Sequence, residues 1–385
     1  MTTSLRLHPG YQARLPRRTR QQGLSSDNRA TTIMLADQAL VRRGRSMELA
    51  VQPDVIDAAG ERDQRARLEA EYMAGGVFAS RLPGGLVDTS SFLLCPSEGQ
   101  YLVDSVRFLG ALPRSGFALA GDGVLEYDGR SIIDRDERVV AVGGQSSRNY
   151  YHWMLESLAR VLLYRQLDDG SVHYLTPQLA DWQWETLQMV GVSPERVIEV
   201  KPRGFARFRE VIAVSRGLAG IHEPVPTAVA ALAGLAERSS ASRRIYVSRE
   251  NATVRKITNA PEVRDLLSRY GFENVSCESL SVREQIELFS GAEAVLGVHG
   301  AGLANIVFSR PGTRVIELSP EGTDPTGNAI YPTLAALSEQ SLLQVVCALE
   351  PTSASIPASH RDIHVDTGHL EGLLRKTLRP SRVLR

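Results

Sequence analysis

The sequence predicts an α/β protein built on a doubly wound parallel sheet, and three observations carry that prediction. From Val139 onward, short apolar runs alternate with amphipathic, helix-like segments, the pattern of parallel strands joined by right-handed crossovers. Glycine and proline fall where turns are needed, as in Arg310-Pro311-Gly312-Thr313. One apolar run, Val295-Leu296-Gly297-Val298, empties through His299-Gly300-Ala301-Gly302 into a helix-like segment from Leu303 to Phe308. That arrangement turns backbone N–H groups and a positive helix end toward an anion at the carboxyl edge of a sheet. Its spacing matches neither Gly-x-Gly-x-x-Gly nor a P-loop.

Along the chain, residues 1–45 read as a basic, loosely ordered arm, and 46–140 as short β-like runs between Gly and Pro turns, with Glu61 to Met73 the clearest helix signal. Val139 to Val142 reads as a buried strand, Tyr150 to Leu167 as an amphipathic helix, Val172 to Leu175 as a strand and Trp182 to Val190 as a helix. Strands at Val197 to Val200 and Val211 to Val214 complete an N-terminal domain of residues 46–216. Residues 217–242, with Pro224, Pro226 and Ser239-Ser240-Ala241-Ser242, read as a linker. A C-terminal domain, 243–350, then alternates strands at 244–248, 274–277, 294–298, 314–318 and 342–347 with helices at 260–270, 282–291, 303–308 and 328–338. Asn259 with Glu262 and Ser281 with Glu284 have the spacing of capping boxes. Residues 351–385 read as a tail and a crossing helix from Leu370 to Leu384.

The chain of 385 residues is 43% hydrophobic and 23% charged, the balance of a soluble globular protein with room for two domains. No apolar run approaches the roughly 20 residues of a membrane span, and the N-terminus lacks the apolar core of a signal peptide. Cys95, Cys277 and Cys347 are too few and too scattered for a disulfide framework or a zinc site. A reducing cytoplasm is the expected setting. Net charge is zero, yet residues 1–45 carry nine Arg against Asp27 and Asp37, and the last fifteen residues carry four Arg and Lys376 against Glu371. The plainer reading is a solvated arm and a basic closing helix. The sharper one is peripheral contact with anionic lipid headgroups at the inner face of the cell membrane. Nucleic acid is not expected, because neither end interleaves aromatics with its charge.

Three clusters at strand–helix junctions could carry chemistry. In Asn149-Tyr150-Tyr151-His152-Trp153-Met154-Leu155-Glu156, His152 and Glu156 are four apart and share a helix face. A carboxylate orients the ring and favours its protonated form, so the pair suits a general base; partly buried helix residues capped by Asn149 are the alternative. No third metal ligand is evident nearby. The second cluster, Tyr246 to Asn259, gathers Arg249, Arg255 and Lys256 in one loop, and Arg is the natural bidentate partner of phosphate. A solvated charged loop is the alternative, and Asn259 is more simply a helix cap than a ligand. In the third cluster, Gly300 and Gly302 allow close backbone approach, His299 can donate to a phosphate oxygen, and Glu317 can accept from ribose hydroxyls or pair with an Arg.

Together these residues resemble glycosyltransferase family 61. The likeness rests on Asn149-Tyr150-Tyr151-His152-Trp153 with Glu156, on Ser248-Arg249 followed by Arg255, and on Gly297 to Asn305 with Pro311-Gly312 and Glu317, spanning roughly residues 140–320. The resemblance implies a GT-B architecture, two Rossmann-like domains facing a cleft; the β-rich N-terminal region matches nothing in it. It implies a nucleotide-sugar donor, a glycan or lipid-linked glycan acceptor, inversion at the anomeric carbon, and neither metal nor cofactor. It places the donor on Arg249, Arg255, His299, Gly300, Ala301, Gly302, Leu303, Asn305 and Glu317, the base at His152 with Glu156 second, and the acceptor beside Asn149, Tyr150, Tyr151 and Trp153. Asp134-Arg135-Asp136 has metal-motif spacing but lies outside the expected donor domain. Bacterial capsular or other cell-surface polysaccharide assembly is the expected setting. A non-catalytic nucleotide-sugar or glycan-binding module and an NAD-type oxidoreductase remain as alternatives, since fold alone does not choose between them.

Overall fold

A strand covered on both faces needs consecutive apolar residues, and Val139-Val140-Ala141 and Ala294-Val295-Leu296 are such runs, each residue 3% exposed or less. Both lie at the centres of sheets. The computed structural model describes residues 2–7, 32–36, 39–41, 47–53, 55, 61–62, 72–74, 77–97, 100–101, 117–120, 124–128, 131–144, 146–214, 224–235, 242–322, 330–351 and 356–378. The chain divides into two units, Met1–Ala39 with Ala74–Ala228, and Leu40–Met73 with Val229–Arg385.

In the first unit four parallel strands lie side by side in the order Val197–Val200, His173–Pro177, Ile132–Ala141, Phe205–Val214. Numbered by sequence this is 3-2-1-4, half of a dinucleotide-type sheet. The sheet is mixed rather than wholly parallel: Val77–Pro83 runs antiparallel beside Phe205–Val214, and Thr32–Ala36 beside Val77–Pro83. A four-stranded sheet orders Phe117–Ala120, Val124–Asp128, Thr2–Leu7 and Gln100–Tyr101. Thus strands occur within residues 1–45, where a loose arm was expected; most of that stretch, like most of the helix expected at 61–73, lies outside the described residues.

Ile132–Ala141 and Phe205–Val214 are each ten residues long, well beyond their expected four. The N-terminal half of Ile132–Ala141 is exposed and rich in charge, so hydrophobic patterning hides it, whereas Phe205–Val214 buries Phe205, Ala206 and Phe208 and interrupts that run with Arg207 and Arg209; pairing of Asp134 with Arg207, at 3.3 Å between charged atoms, accompanies the ladder. Deeper in the sheet Glu210 is buried and joins three strands, accepting from Arg81 Nε (2.8 Å) and from Arg138 Nε (3.0 Å) and Nη2 (2.9 Å). Burial raises its pKa, but the hydrogen bonds and charges of Arg81 and Arg138 outweigh that and hold it below the ordinary range.

In the second unit six strands are all parallel, in the order Phe272–Val275, Arg243–Val247, Ala292–Val298, Arg314–Pro320, Ser341–Leu349, Met47–Val51. Counting from Arg243–Val247, the first five run 2-1-3-4-5, so the chain reverses its direction of winding between Arg243–Val247 and Ala292–Val298. Ligands of open α/β sheets bind at such a switch point, outside the carboxyl ends of the strands. Met47–Val51, expected within the N-terminal domain, instead extends this sheet, with Met47 and Leu49 buried and Glu48 reaching Arg314 at 3.0 Å.

Ser281 and Glu284 form a full capping box on the helix Val282–Ser290. Asn259 does not cap Ala260–Arg269: its amide donates to Val365 O (2.9 Å) and to Glu262, and its oxygen accepts from Val365 N. A bond to Val365, 106 residues away and just past the strand Ile363–His364, has replaced the local one. Helix Thr367–Thr377 buries Leu370 and Leu374 against Val263 and Leu266 in its own unit's core. Among the described residues no helix is long and apolar enough to cross a membrane.

Glu210→Ala should lower the stability of its unit by about 3 kcal/mol, because two guanidinium groups lose a buried partner. Because the folded-state pKa is depressed, the wild-type advantage should be full above the ordinary glutamate value, about pH 4.3, and disappear as pH falls through the folded value. Denaturant unfolding of both proteins across that range measures it.

Candidate functional site

The two loops leaving the switch point of the second unit carry Arg249, Arg255, His299 and Gly300. Strand Arg243–Val247 ends in buried Ser248 and half-buried Arg249. Arg249 curls back over its own loop, donating from Nη2 to Val254 O (2.8 Å) and from Nε to Arg255 O (3.3 Å). Arg255 has φ +56°, a left-handed conformation that costs a bulky residue on the order of 1 kcal/mol and tends to persist at functional sites. The loop is pinned from outside: Lys256 N donates to Asp362 Oδ1 (2.8 Å), Ile363 N to Lys256 O (2.9 Å) and Thr258 N to Ile363 O (2.9 Å).

Among the described residues neither Arg249 nor Arg255 has a carboxylate within ion-pair distance, and Arg255 Nε is buried without a hydrogen-bond partner. Burial, then the charge of Arg255, lowers the pKa of Arg249; burial lowers that of Arg255. Two half-buried guanidinium groups held together, with Glu278, Asp362 and Glu317 favouring their charge only from beyond ion-pair distance, carry an electrostatic cost that an anion would relieve.

Strand Ala292–Val298 delivers His299 and Gly300 to the same edge. A Cβ on Gly300 would lie 2.1 Å from Arg249 Nη1, so the guanidinium rests against this backbone. Gly300 itself is extended (φ 171°), and the 3-10 helix Ala301–Phe308 starts immediately after it, two residues earlier than expected. Its first N–H groups lack acceptors within the helix. Gly302 has a different reason to be glycine: a Cβ there would meet Val247 Cγ1 at 2.9 Å, and one at Gly297 would press Leu303 and Val247 at 3.1 Å. These two glycines let helix and strands pack, and only Gly300 borders the cations.

His299 Nδ1 lies 2.6 Å from Glu317 Oε1, and Gln344 Nε2 donates to Glu317 Oε2 at 3.0 Å. Glu317 is fully buried, with both oxygens engaged, and is therefore turned away from any ribose. Tyr331 packs edge-on against the His299 ring, 5.2 Å between centroids, and its hydroxyl donates to Gly300 O. Of the other residues expected here, Ala301 and Gly302 are half-buried beside Gly300, whereas Leu303 and Asn305 are core. Asn305 donates to Gln285 Oε1 (2.7 Å) beside Cys277, whose thiol burial pushes up to about 12. Sequence reading missed Tyr331 and Gln344. The lone Gln within Leu342-Leu343-Gln344-Val345-Val346 was a usable signal, since a polar side chain inside an apolar strand needs a partner.

The first unit presents the other cluster. After Ile132–Ala141 the chain turns through Gly143, packed on the Phe92 ring, and Arg160 Nη1 ties the turn down by donating to Val142 O (3.0 Å) and Gly143 O (2.8 Å). Asn149, exposed, accepts from His152 N at 3.5 Å at the start of helix Tyr150–His152. The helix continues as a π-helical stretch, Trp153–Ser157, an irregularity found often at functional sites. His152 Nδ1 meets Glu156 Oε1 at 3.1 Å, with 17% and 18% of the two side chains accessible. Trp153, expected beside the acceptor, is fully buried and donates to Thr186 Oγ1 (2.8 Å); Tyr151 is buried too. Tyr150 remains half-buried, its ring 5.4 Å from that of Trp182.

Residues 150–316 match the family model described as Glycosyltransferase 61, a stretch that opens on the His152 helix and closes just before Glu317. No curated protein matches the chain.

The two kinds of glycine should separate experimentally. Gly300→Ala should displace Arg249 and weaken inorganic pyrophosphate binding by about tenfold while changing stability little. Gly302→Ala should instead cost about 1–3 kcal/mol of stability through overpacking against Val247. Calorimetric titration and thermal unfolding of both variants decide it.

Proposed function

The chain belongs to glycosyltransferase family 61, and we propose that it is an inverting enzyme that moves a sugar from a nucleotide-sugar donor to a glycan hydroxyl. The observation that carries this reading is the half-buried pair Arg249 and Arg255 at the switch point of the second unit, neither with an ion-pair partner among the described residues. A leaving nucleoside diphosphate needs positive charge placed in advance where its own negative charge grows. Arg249, Arg255 and the Gly300–Ala301 helix start supply fixed donors of that kind, so we assign them the diphosphate, with protein cations rather than a metal meeting its charge.

Departure of the diphosphate leaves oxocarbenium character at the anomeric carbon, and an acceptor hydroxyl attacks the opposite face. We assign the hydroxyl proton to His152. Glu156 at 3.1 Å orients its ring and stabilises the imidazolium once the proton arrives. Exposed Asn149 and half-buried Tyr150 are the neighbours best placed for acceptor contact, while buried Trp153 and Tyr151 support the helix from behind. The setting we favour is capsular or other cell-surface polysaccharide assembly on a glycan or lipid-linked glycan, on the cytoplasmic side of the membrane.

Titration of UDP, GDP and CDP in the presence of EDTA should find one that binds in the micromolar range, with Arg249→Ala weakening it at least about tenfold, the worth of one or two charge-assisted hydrogen bonds. Binding of NAD alone, or unaltered diphosphate binding by Arg249→Ala, would overturn the donor assignment. His152→Ala should keep diphosphate affinity and lower transfer by about 10²–10⁴-fold, the usual contribution of a general base. Transfer unaffected by that substitution would remove His152 from the mechanism.

A further inference from the structure

We propose that Glu317 is a positioning residue: it accepts a hydrogen bond from Nδ1 of His299 and orients the ring so that Nε2, a donor in the imidazolium form, faces the diphosphate, and Gln344 holds Glu317 in turn. This rests on the reading of Arg249 and Arg255 as the diphosphate site. A carboxylate only accepts hydrogen bonds, so at 2.6 Å from Glu317 Oε1 the Nδ1 of His299 carries a hydrogen. The second carboxylate oxygen is occupied by Gln344 at 3.0 Å, and Glu317 has no accessible surface left. The ring is fixed from other sides as well. His299 N donates to Leu318 O (2.9 Å), and Tyr331 meets the ring edge-on while its hydroxyl holds Gly300 O. One tenth of the His299 side chain stays accessible. With Nδ1 turned to a fully buried carboxylate, the opposite nitrogen is the one that meets a ligand.

Charged groups lie around this ring from two elements: Glu317 from Arg314–Pro320, and Arg249 and Arg255 from the loop after Arg243–Val247, with Glu317 also favouring the Arg255 cation. During transfer the bond from the anomeric carbon to the diphosphate breaks, with its electron pair passing to the diphosphate oxygen. A lone pair of the acceptor oxygen forms the new bond, and its proton goes to His152. The Nε2 hydrogen bond shortens as charge grows on the diphosphate, and its proton stays on His299.

The test titrates the nucleoside diphosphate that binds (UDP, GDP or CDP) into wild type, His299→Gln, Glu317→Gln and the double variant, each first shown by thermal unfolding to be folded. Wild type should bind about tenfold tighter than His299→Gln, and Glu317→Gln should lose most of that advantage. In the double variant Glu317→Gln should cost no further affinity, because it acts only through the ring. A merely structural role would weaken binding by the same factor with or without His299. That outcome, or Glu317→Gln binding as tightly as wild type, would overturn the proposal. So would ¹⁵N spectra of histidine-labelled wild type, with the His299 signal assigned by its loss in His299→Gln, showing hydrogen on Nε2 and none on Nδ1; this measurement needs no ligand. If none of the three nucleotides binds wild type, the diphosphate reading itself fails and the proposal with it, an outcome distinct from binding that Glu317→Gln leaves unchanged.

Discussion

Within the second unit Arg249, Arg255 and His299 share one sheet edge, where Glu317 is buried against His299 and, among the described residues, no carboxylate forms an ion pair with either arginine. This imbalance is the constraint around which the neighbouring structure is arranged. Removing cations from water without a partner is costly, and the chain tolerates it by fixing every surrounding group. Backbone carbonyls of Val254 and Arg255 take two donors of Arg249, the 362–365 segment pins the loop, and Tyr331 and Gln344 hold the histidine and its carboxylate. Donors held rigidly before an anion arrives need no reorganisation when it does, which is where electrostatic catalysis gains most.

The first unit treats its buried charge in the opposite way. Glu210 is matched by Arg81 and Arg138, and Asp168 by Arg196 at 2.8 Å and by the hydroxyl of Tyr174 at 2.7 Å. Those groups bind strands and turns together and have little left for a ligand. The polar pair left near the surface is His152 with Glu156, at the mouth of the loop that follows the first parallel strand. Both units thus place polar side chains singled out in the sequence after the carboxyl end of their first parallel strand, His152 and Glu156 in one, Arg249 and Arg255 in the other.

Much of the fold was legible in the sequence, and for a common reason. Strands buried on both faces must be apolar throughout, so Ala292–Val298, Arg314–Pro320 and Ser341–Leu349 stood out within two residues of their observed ends. Ser281 and Glu284 were readable because a capping box is closed by residues three apart. Where the deciding contact is remote, the reading failed. Asn259 has the same local spacing but bonds to Val365, and Met47–Val51 joins a strand almost three hundred residues later. The exposed, charged half of Ile132–Ala141 carries no apolar pattern, and in Phe205–Val214 Arg207 and Arg209 break up the buried Phe205, Ala206 and Phe208.

The site divides along the same line. By itself the sequence determined which residue types lie at which strand ends: His152 with Glu156 one helical turn on, Arg249 and Arg255 in one loop, His299 and Gly300 before a helix. These are consequences of local periodicity. Only the tertiary structure decided what each residue does there. It set the 2-1-3-4-5 strand order that brings Arg249 against Gly300, and it gave Glu317 to His299 and Gln344 rather than to solvent. It also withdrew Trp153, Leu303 and Asn305 into the core. The physical reason is that burial and charge pairing depend on neighbours supplied by strands far apart in sequence, and periodicity within one strand holds no information about them.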